Sequence, residues 1–87
     1  MWFVYILRCA DNALYVGATS DLDLRLLKHN EGSACAFTAQ RRPVTLVYSE
    51  PHASPLDARV RERQIKHWTR RKKEALIAGN LVLLKSL

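Results

Sequence analysis

Cysteine is scarce in this 87-residue chain, and the scarcity removes whole classes of protein. Cys9 and Cys35 are too few and too unpatterned for a disulfide scaffold, and no CxxC occurs. His29, His52 and His67 lack zinc-ligand spacing relative to either cysteine, so a structural zinc site is not expected. Long apolar runs are also missing. The longest is the seven residues Met1–Leu7, far short of the ~20 that span a bilayer. No cationic stretch precedes that run and it is rich in aromatic and β-branched residues, so it reads as a strand and not as a leader. These absences predict a cytoplasmic chain with reduced thiols and no membrane partner.

What is present describes a small globular domain. Hydrophobic residues make up 48% and charged residues 25% of the chain, which argues against disorder and against a fibre. The length accommodates one domain, 1–87. A chain this short buries about 60–70% of its unfolded surface, and its net stability is roughly 4–13 kcal/mol. That leaves little surplus to support a deep cavity. No large organic cofactor is expected, and a shallow surface site is.

Acid is the scarcer charge. Fourteen Lys and Arg against eight Asp and Glu give +6. The segment from Pro55 to Lys73 holds eight bases and two acids, which accounts for the whole excess. A basic footprint confined to one segment points to a polyanionic partner.

Local patterns predict the elements. Trp2–Arg8 and Leu14–Thr19 read as two strands of a hairpin around the polar turn residues 9–13. Ser20 with Asp23 resembles a capping box opening a helix in which Leu22, Leu26 and His29 share a face with Arg25, widened by Leu24 and Leu27. Gly32 is the expected stop. Ser33–Arg42 reads as a loop and Val44–Tyr48 as a third strand. Ser54-Pro55 with Asp57 caps a second helix that should run to about Thr69 or Arg71. A last helical piece, Lys72–Ala78, precedes Gly79, and the apolar tail Leu81–Leu87 should pack on the core. The expected order is β-β-α-β-α-α, an α+β fold.

Several side chains stand out chemically. Ala58, Ile65 and Trp68 mark the inward face of the second helix, and Glu62 projects near that stripe among cations. Its carboxylate suits a salt bridge to Arg25, Arg59 or Lys66, or a hard divalent cation. Arg25 on an apolar face needs an anion, either Glu62 or a phosphate gripped by its guanidinium fork. His29 reads either as a satisfied surface histidine or as an acid–base group near neutrality. Tyr5 and Tyr15, on facing strands, read individually as core tyrosines with a wet hydroxyl. Gly17 inside a strand marks a close approach by other atoms.

Taken in order, Phe3-Val4-Tyr5, Tyr15-Val16-Gly17, Arg25, His29-Asn30-Glu31-Gly32, Phe37-Thr38 and the stretch Arg61 to Trp68 with Glu62 resemble the motifs of GIY-YIG nuclease domains. The likeness covers nearly the whole chain and includes the tail KKEALIAGN, which looks like the small stand-alone bacterial members. The chain departs from the pattern at Phe3, where the first motif has glycine. The resemblance implies a three-stranded antiparallel sheet flanked by helices and metal-dependent hydrolysis of DNA phosphodiesters in repair, recombination or processing. It further implies a single Mg2+ or Mn2+ on Glu62 and charge neutralisation by Arg25. Tyr5 would be the general base, with Tyr15 and His29 positioning or sharing the proton. That role requires a lowered phenol pKa, because an ordinary tyrosine near 10 is a poor base at pH 7. Gly17 would let the backbone approach the metal or the phosphate. Arg59, Arg63, Lys66, Arg70, Lys72 and Lys73, extended by Arg41 and Arg42, would track nucleic acid, and Trp68 is expected in the core. The competing readings are a non-catalytic nucleic-acid-binding module, with RNA as an alternative partner, and a basic adaptor for proteins.

Overall fold

The computed structural model describes residues 1–86. Strands β1 (Trp2–Arg8), β2 (Leu14–Thr19) and β3 (Thr45–His52) form one antiparallel sheet in the order β2-β1-β3. The first two strands have the expected bounds. Helices α1 (Leu22–Glu31) and α2 (Ala36–Ala39) lie between β2 and β3; α3 (Pro55–Lys66), α4 (Arg70–Ala78) and α5 (Leu81–Ser86) follow β3. The fold is α+β, with helices on both sheet faces.

The period-two alternation of β1 divides the core. Val4 and Ile6 join Val16 and Ala18 of β2 in packing against Ala58 and Ile65 of α3 and Leu76 of α4. Tyr5 and Leu7 turn to the other face, where Cys9, Val44, Leu22 and Leu26 surround them. Ile6 and Ile65 are wholly buried, and each such side chain contributes roughly 1.5–3 kcal/mol.

Caps set the helix boundaries. Asp21, not Ser20, caps α1, accepting from the Leu24 backbone N–H at 3.0 Å; the carboxylate also suits the positive end of the helix dipole. Gly32 closes α1 with φ 84°, a left-handed conformation that favours glycine. Leu24 and Leu27 do not widen the buried stripe; both are exposed. Ser54 caps α3 as expected, accepting from Asp57 N–H at 3.1 Å.

Four other expectations are corrected. The stretch read as a loop contains α2, a single turn too short for any apolar period to register. β3 runs beyond Tyr48 to His52 through Pro51, which is tolerated because an edge strand leaves one row of backbone groups unpaired. The second helix stops at Lys66, and Thr69 caps a new one by accepting from Lys72 N–H at 3.2 Å. The tail is helical; Leu84 packs on the core, but Leu81 and Val82 are exposed. Leu87 lies outside the described residues.

Candidate active site

β2 is a free edge of the sheet, and the singled-out residues gather around it from both faces. On the α1 face, the Tyr5 hydroxyl lies 2.9 Å from His29 Nε2, and His29 Nδ1 lies 2.8 Å from Thr38 Oγ1. His29 is 1% exposed and Thr38 wholly buried. Tyr15 stands beside them, its ring centroid 6.4 Å from that of Tyr5 and 5.1 Å from the His29 ring. Phe37 of α2 packs on Tyr15 at 5.9 Å. No buried side-chain nitrogen or oxygen among the described residues lacks a hydrogen-bond partner, as a buried polar chain requires.

Gly17 faces Tyr5 across the strand pair. A Cβ there would collide with the Tyr5 hydroxyl and ring. The close approach read from the sequence is therefore made by this phenol, and Gly17 is buried beneath it, not open to a phosphate.

On the opposite face α3 covers β1 and β2 and brings Glu62 to the same edge. Its side chain is 11% exposed and is held by Lys66 Nζ at 2.7 Å and, more loosely, by Arg59 at 3.9 Å. Lys66 Nζ also stands 6.0 Å from the Tyr15 ring centroid. Arg25 does not pair with Glu62. It forms no side-chain ion pair among the described residues. It lines a depression of about 370 Å3 with Thr19, Ser20, Asp21 and Lys28, whereas Glu62 lines a cleft of about 290 Å3 with Arg59, Arg63, Lys66 and His67. Arg25 and Glu62 thus line separate hollows and not the single pocket expected.

The electrostatics are those of a site with its water partly removed. Burial pushes the Tyr5 phenol well above its usual value; the Tyr15 and Glu62 charges push the same way, and Arg25 opposes them without winning. Arg25 alone therefore does not bring the phenol below its ordinary value, and Tyr5 keeps its proton. Tyr15 is pushed up to about 12, by burial and then by Cys35. Burial and the Arg25 charge lower the His29 imidazole, so it is neutral at pH 7. Burial raises the Cys35 thiol, but hydrogen bonds, first from Thr38, bring it below its ordinary value.

The other expected contacts scatter. Arg41 is bound to Asp11 at 3.1 Å and stacks 4.0 Å over Phe37, which ties the hairpin turn to α2. Exposed Arg42 donates to the Ala39 carbonyl. Arg70 bridges Glu74 and the Asn12 carbonyl. Lys72 lies 4.3 Å over the half-buried Trp68 ring, which packs on the core. Neither it nor Lys73 lines the Glu62 cleft, because the helix break at His67–Thr69 separates α4 from α3. From the sequence, Phe37-Thr38 stood out only as a motif, with no role for Thr38, and Lys28 did not stand out at all. Nor did Glu50, which accepts from Tyr48 at 2.6 Å and pairs with His52 at 2.6 Å and Arg61 at 3.0 Å.

Comparison with known proteins identifies relatives of the chain. The GIY-YIG catalytic domain matches residues 1–75. A UPF0213 protein of Bacillus pumilus is 45% identical over 75 residues, covering 86% of this chain and 76% of the relative. A UPF0213 protein of Staphylococcus aureus is 47% identical, covering 86% and 92%. The solution NMR structure of a UPF0213 protein from Bacillus halodurans is 40% identical, with a TM-score of 0.58 over 90% of this chain and 84% of that one.

Proposed function

The chain belongs to the GIY-YIG family of nuclease domains, and on that premise we propose that it hydrolyses DNA phosphodiester bonds with one divalent cation. The observation that carries the reading is the unpaired Arg25 and the displaceably paired Glu62 flanking the same two phenols.

Glu62 fits the cation. Its carboxylate is almost buried yet opens on a cleft, and its partners are flexible side chains, Lys66 47% and Arg59 62% exposed, that can swing aside. No group of three or more His, Cys, Asp or Glu gathers among the described residues. One carboxylate plus water is the mode that hard ions such as Mg2+ or Mn2+ adopt. When bound, the ion supplies polarisation of the phosphoryl oxygen and charge neutralisation at the departing 3′ oxygen.

The remaining steps belong to the protein. Arg25 grips the phosphate through its fork and offsets the charge that builds on it. As water attacks, its proton passes to Tyr5 Oη while the Tyr5 proton passes to neutral His29 Nε2. This concerted transfer avoids a free tyrosinate, which burial disfavours. Hydroxide adds to phosphorus and the bond to the 3′ oxygen breaks. Tyr15 remains protonated and can donate to a phosphate oxygen. Two separate hollows suit a single strand or a branch, with Arg59, Arg63 and Lys66 lining one and Arg25 and Lys28 the other. About four neutralised phosphates give a log K against log[salt] slope of roughly −3 to −4. A role in DNA repair, recombination or processing is the biology this chemistry suits.

Incubation of single-stranded, duplex and branched DNA with Mg2+ or Mn2+ tests the reading. Cleavage should require the ion and fall about 10³-fold or more in Glu62→Gln, with binding retained. Tight binding without cleavage under either ion would establish a binding module instead.

A further inference from the structure

Tyr5 and His29 have roles in the proposed reaction; Thr38, part of the Phe37-Thr38 motif, has none there, although it is the innermost member of their chain. Among the described residues the Tyr5 hydroxyl has one hydrogen-bond partner, His29 Nε2 at 2.9 Å. A buried phenol must place its proton on an acceptor, so Tyr5 donates and Nε2 is bare. The neutral ring then carries its proton on Nδ1, which has one partner, Thr38 Oγ1 at 2.8 Å. Thr38 sends its own proton on to Cys35, whose carbonyl oxygen lies at 3.5 Å and Sγ at 3.3 Å. Every donor in the chain has an acceptor in this direction only if Thr38 accepts from His29.

We propose that Thr38, carried by α2, is a positioning residue that fixes His29 as the Nδ1–H tautomer, leaving Nε2 free to take the Tyr5 proton. The inference rests on the nuclease reading for its consequence and on the hydrogen-bond chain for its geometry. During the reaction Nε2 gains the Tyr5 proton while Tyr5 gains one from water, and the Nδ1–H bond to Thr38 is unchanged. Thr38 therefore serves the neutral ring and the imidazolium alike. Without the hydroxyl, a buried Nδ1–H would have no acceptor. The ring would then move its proton to Nε2 or rotate, and either change removes the acceptor Tyr5 needs. α2 carries this hydroxyl, and its one turn also places Phe37 against Tyr15.

Nitrogen-15 NMR of the His29 ring reads the tautomer directly, whether or not substrate is cut. The parent protein should show Nδ1–H with a bare Nε2. Thr38→Val, nearly the same shape, should show the Nε2–H form or a mixture, with kcat down about 10- to 100-fold and KM little changed. Thr38→Ser should restore both the tautomer and kcat, which a merely space-filling role would not require. A parent ring protonated on Nε2, or a valine variant that keeps Nδ1–H as the sole form, overturns the proposal. Absence of cleavage by the parent counts against the nuclease reading alone, and the tautomer spectra still decide the part played by Thr38.

Discussion

The two edges of the sheet carry nearly the same inventory: tyrosine, histidine, arginine and glutamate. At the β3 edge Tyr48, His52 and Arg61 all converge on Glu50 at 2.6, 2.6 and 3.0 Å, so the carboxylate is saturated from within. At the β2 edge the acid is held only by exposed cations, and Arg25 has no acid partner among the described residues. A site capable of chemistry differs from a structural clasp in what is left unsatisfied, more than in which residue types it contains. The Glu50 cluster ties β3 to α3 and thereby holds the helix that presents Glu62.

Exchanging arginine for lysine at each edge separates these roles most sharply. Arg25→Lys keeps the charge but loses the planar fork, and cleavage should fall about 10- to 100-fold. Arg61→Lys should leave the activity of the folded protein within about two-fold, since its task is to hold Glu50. Equal losses in the two variants would erase the distinction.

Glu50→Gln should act on stability. Removing a charged acceptor that serves three donors costs about 2 kcal/mol, lowering Tm by roughly 8–16 °C, with kcat little changed. The pH dependence has a definite sign. Burial raises the Glu50 carboxyl, but donation from Tyr48, Arg61 and His52 outweighs it and holds the group below its ordinary value. Its stabilisation is therefore complete above the unfolded pKa near 4.5 and fades as pH falls through the lower folded value. Thermal melts from pH 6 to pH 3 should show a gentler decline in the glutamine variant than in the parent.

The smallest effect is expected at Lys72→Ala/Lys73→Ala, on the helix that does not line either hollow. Binding to a DNA oligonucleotide should change less than two-fold and keep its salt slope. Lys28→Ala should flatten that slope by about one phosphate's worth, 0.7–0.9. The reverse pattern would move the nucleic-acid path from the β2 edge to α4.

Much of this was legible in the residues. Strand-forming residues in Trp2–Arg8 and Leu14–Thr19, separated by turn residues, set both strand bounds, and Ser54-Pro55 with Asp57 is a local signal needing no tertiary context. Glu62, Arg25 and His29 stood out by their helix faces, and the order of motifs along the chain joined them to Tyr5 and Tyr15. What escaped depends on contacts distant in sequence. Glu50 owes its place to Arg61, eleven residues on, and Thr38 owes its burial to a ring nitrogen nine residues back. The break after Lys66 escaped because Thr69 caps without an acidic partner, in the middle of a basic run whose composition is uniform.

Gly17 and Tyr5 stand twelve residues apart in the chain yet occupy one volume, the tyrosine filling the space a methyl group would take. The two signatures that look separate on paper are therefore a mould and its casting. Neither can be redesigned singly: a side chain at position 17 obliges the ring at position 5 to move or to shrink.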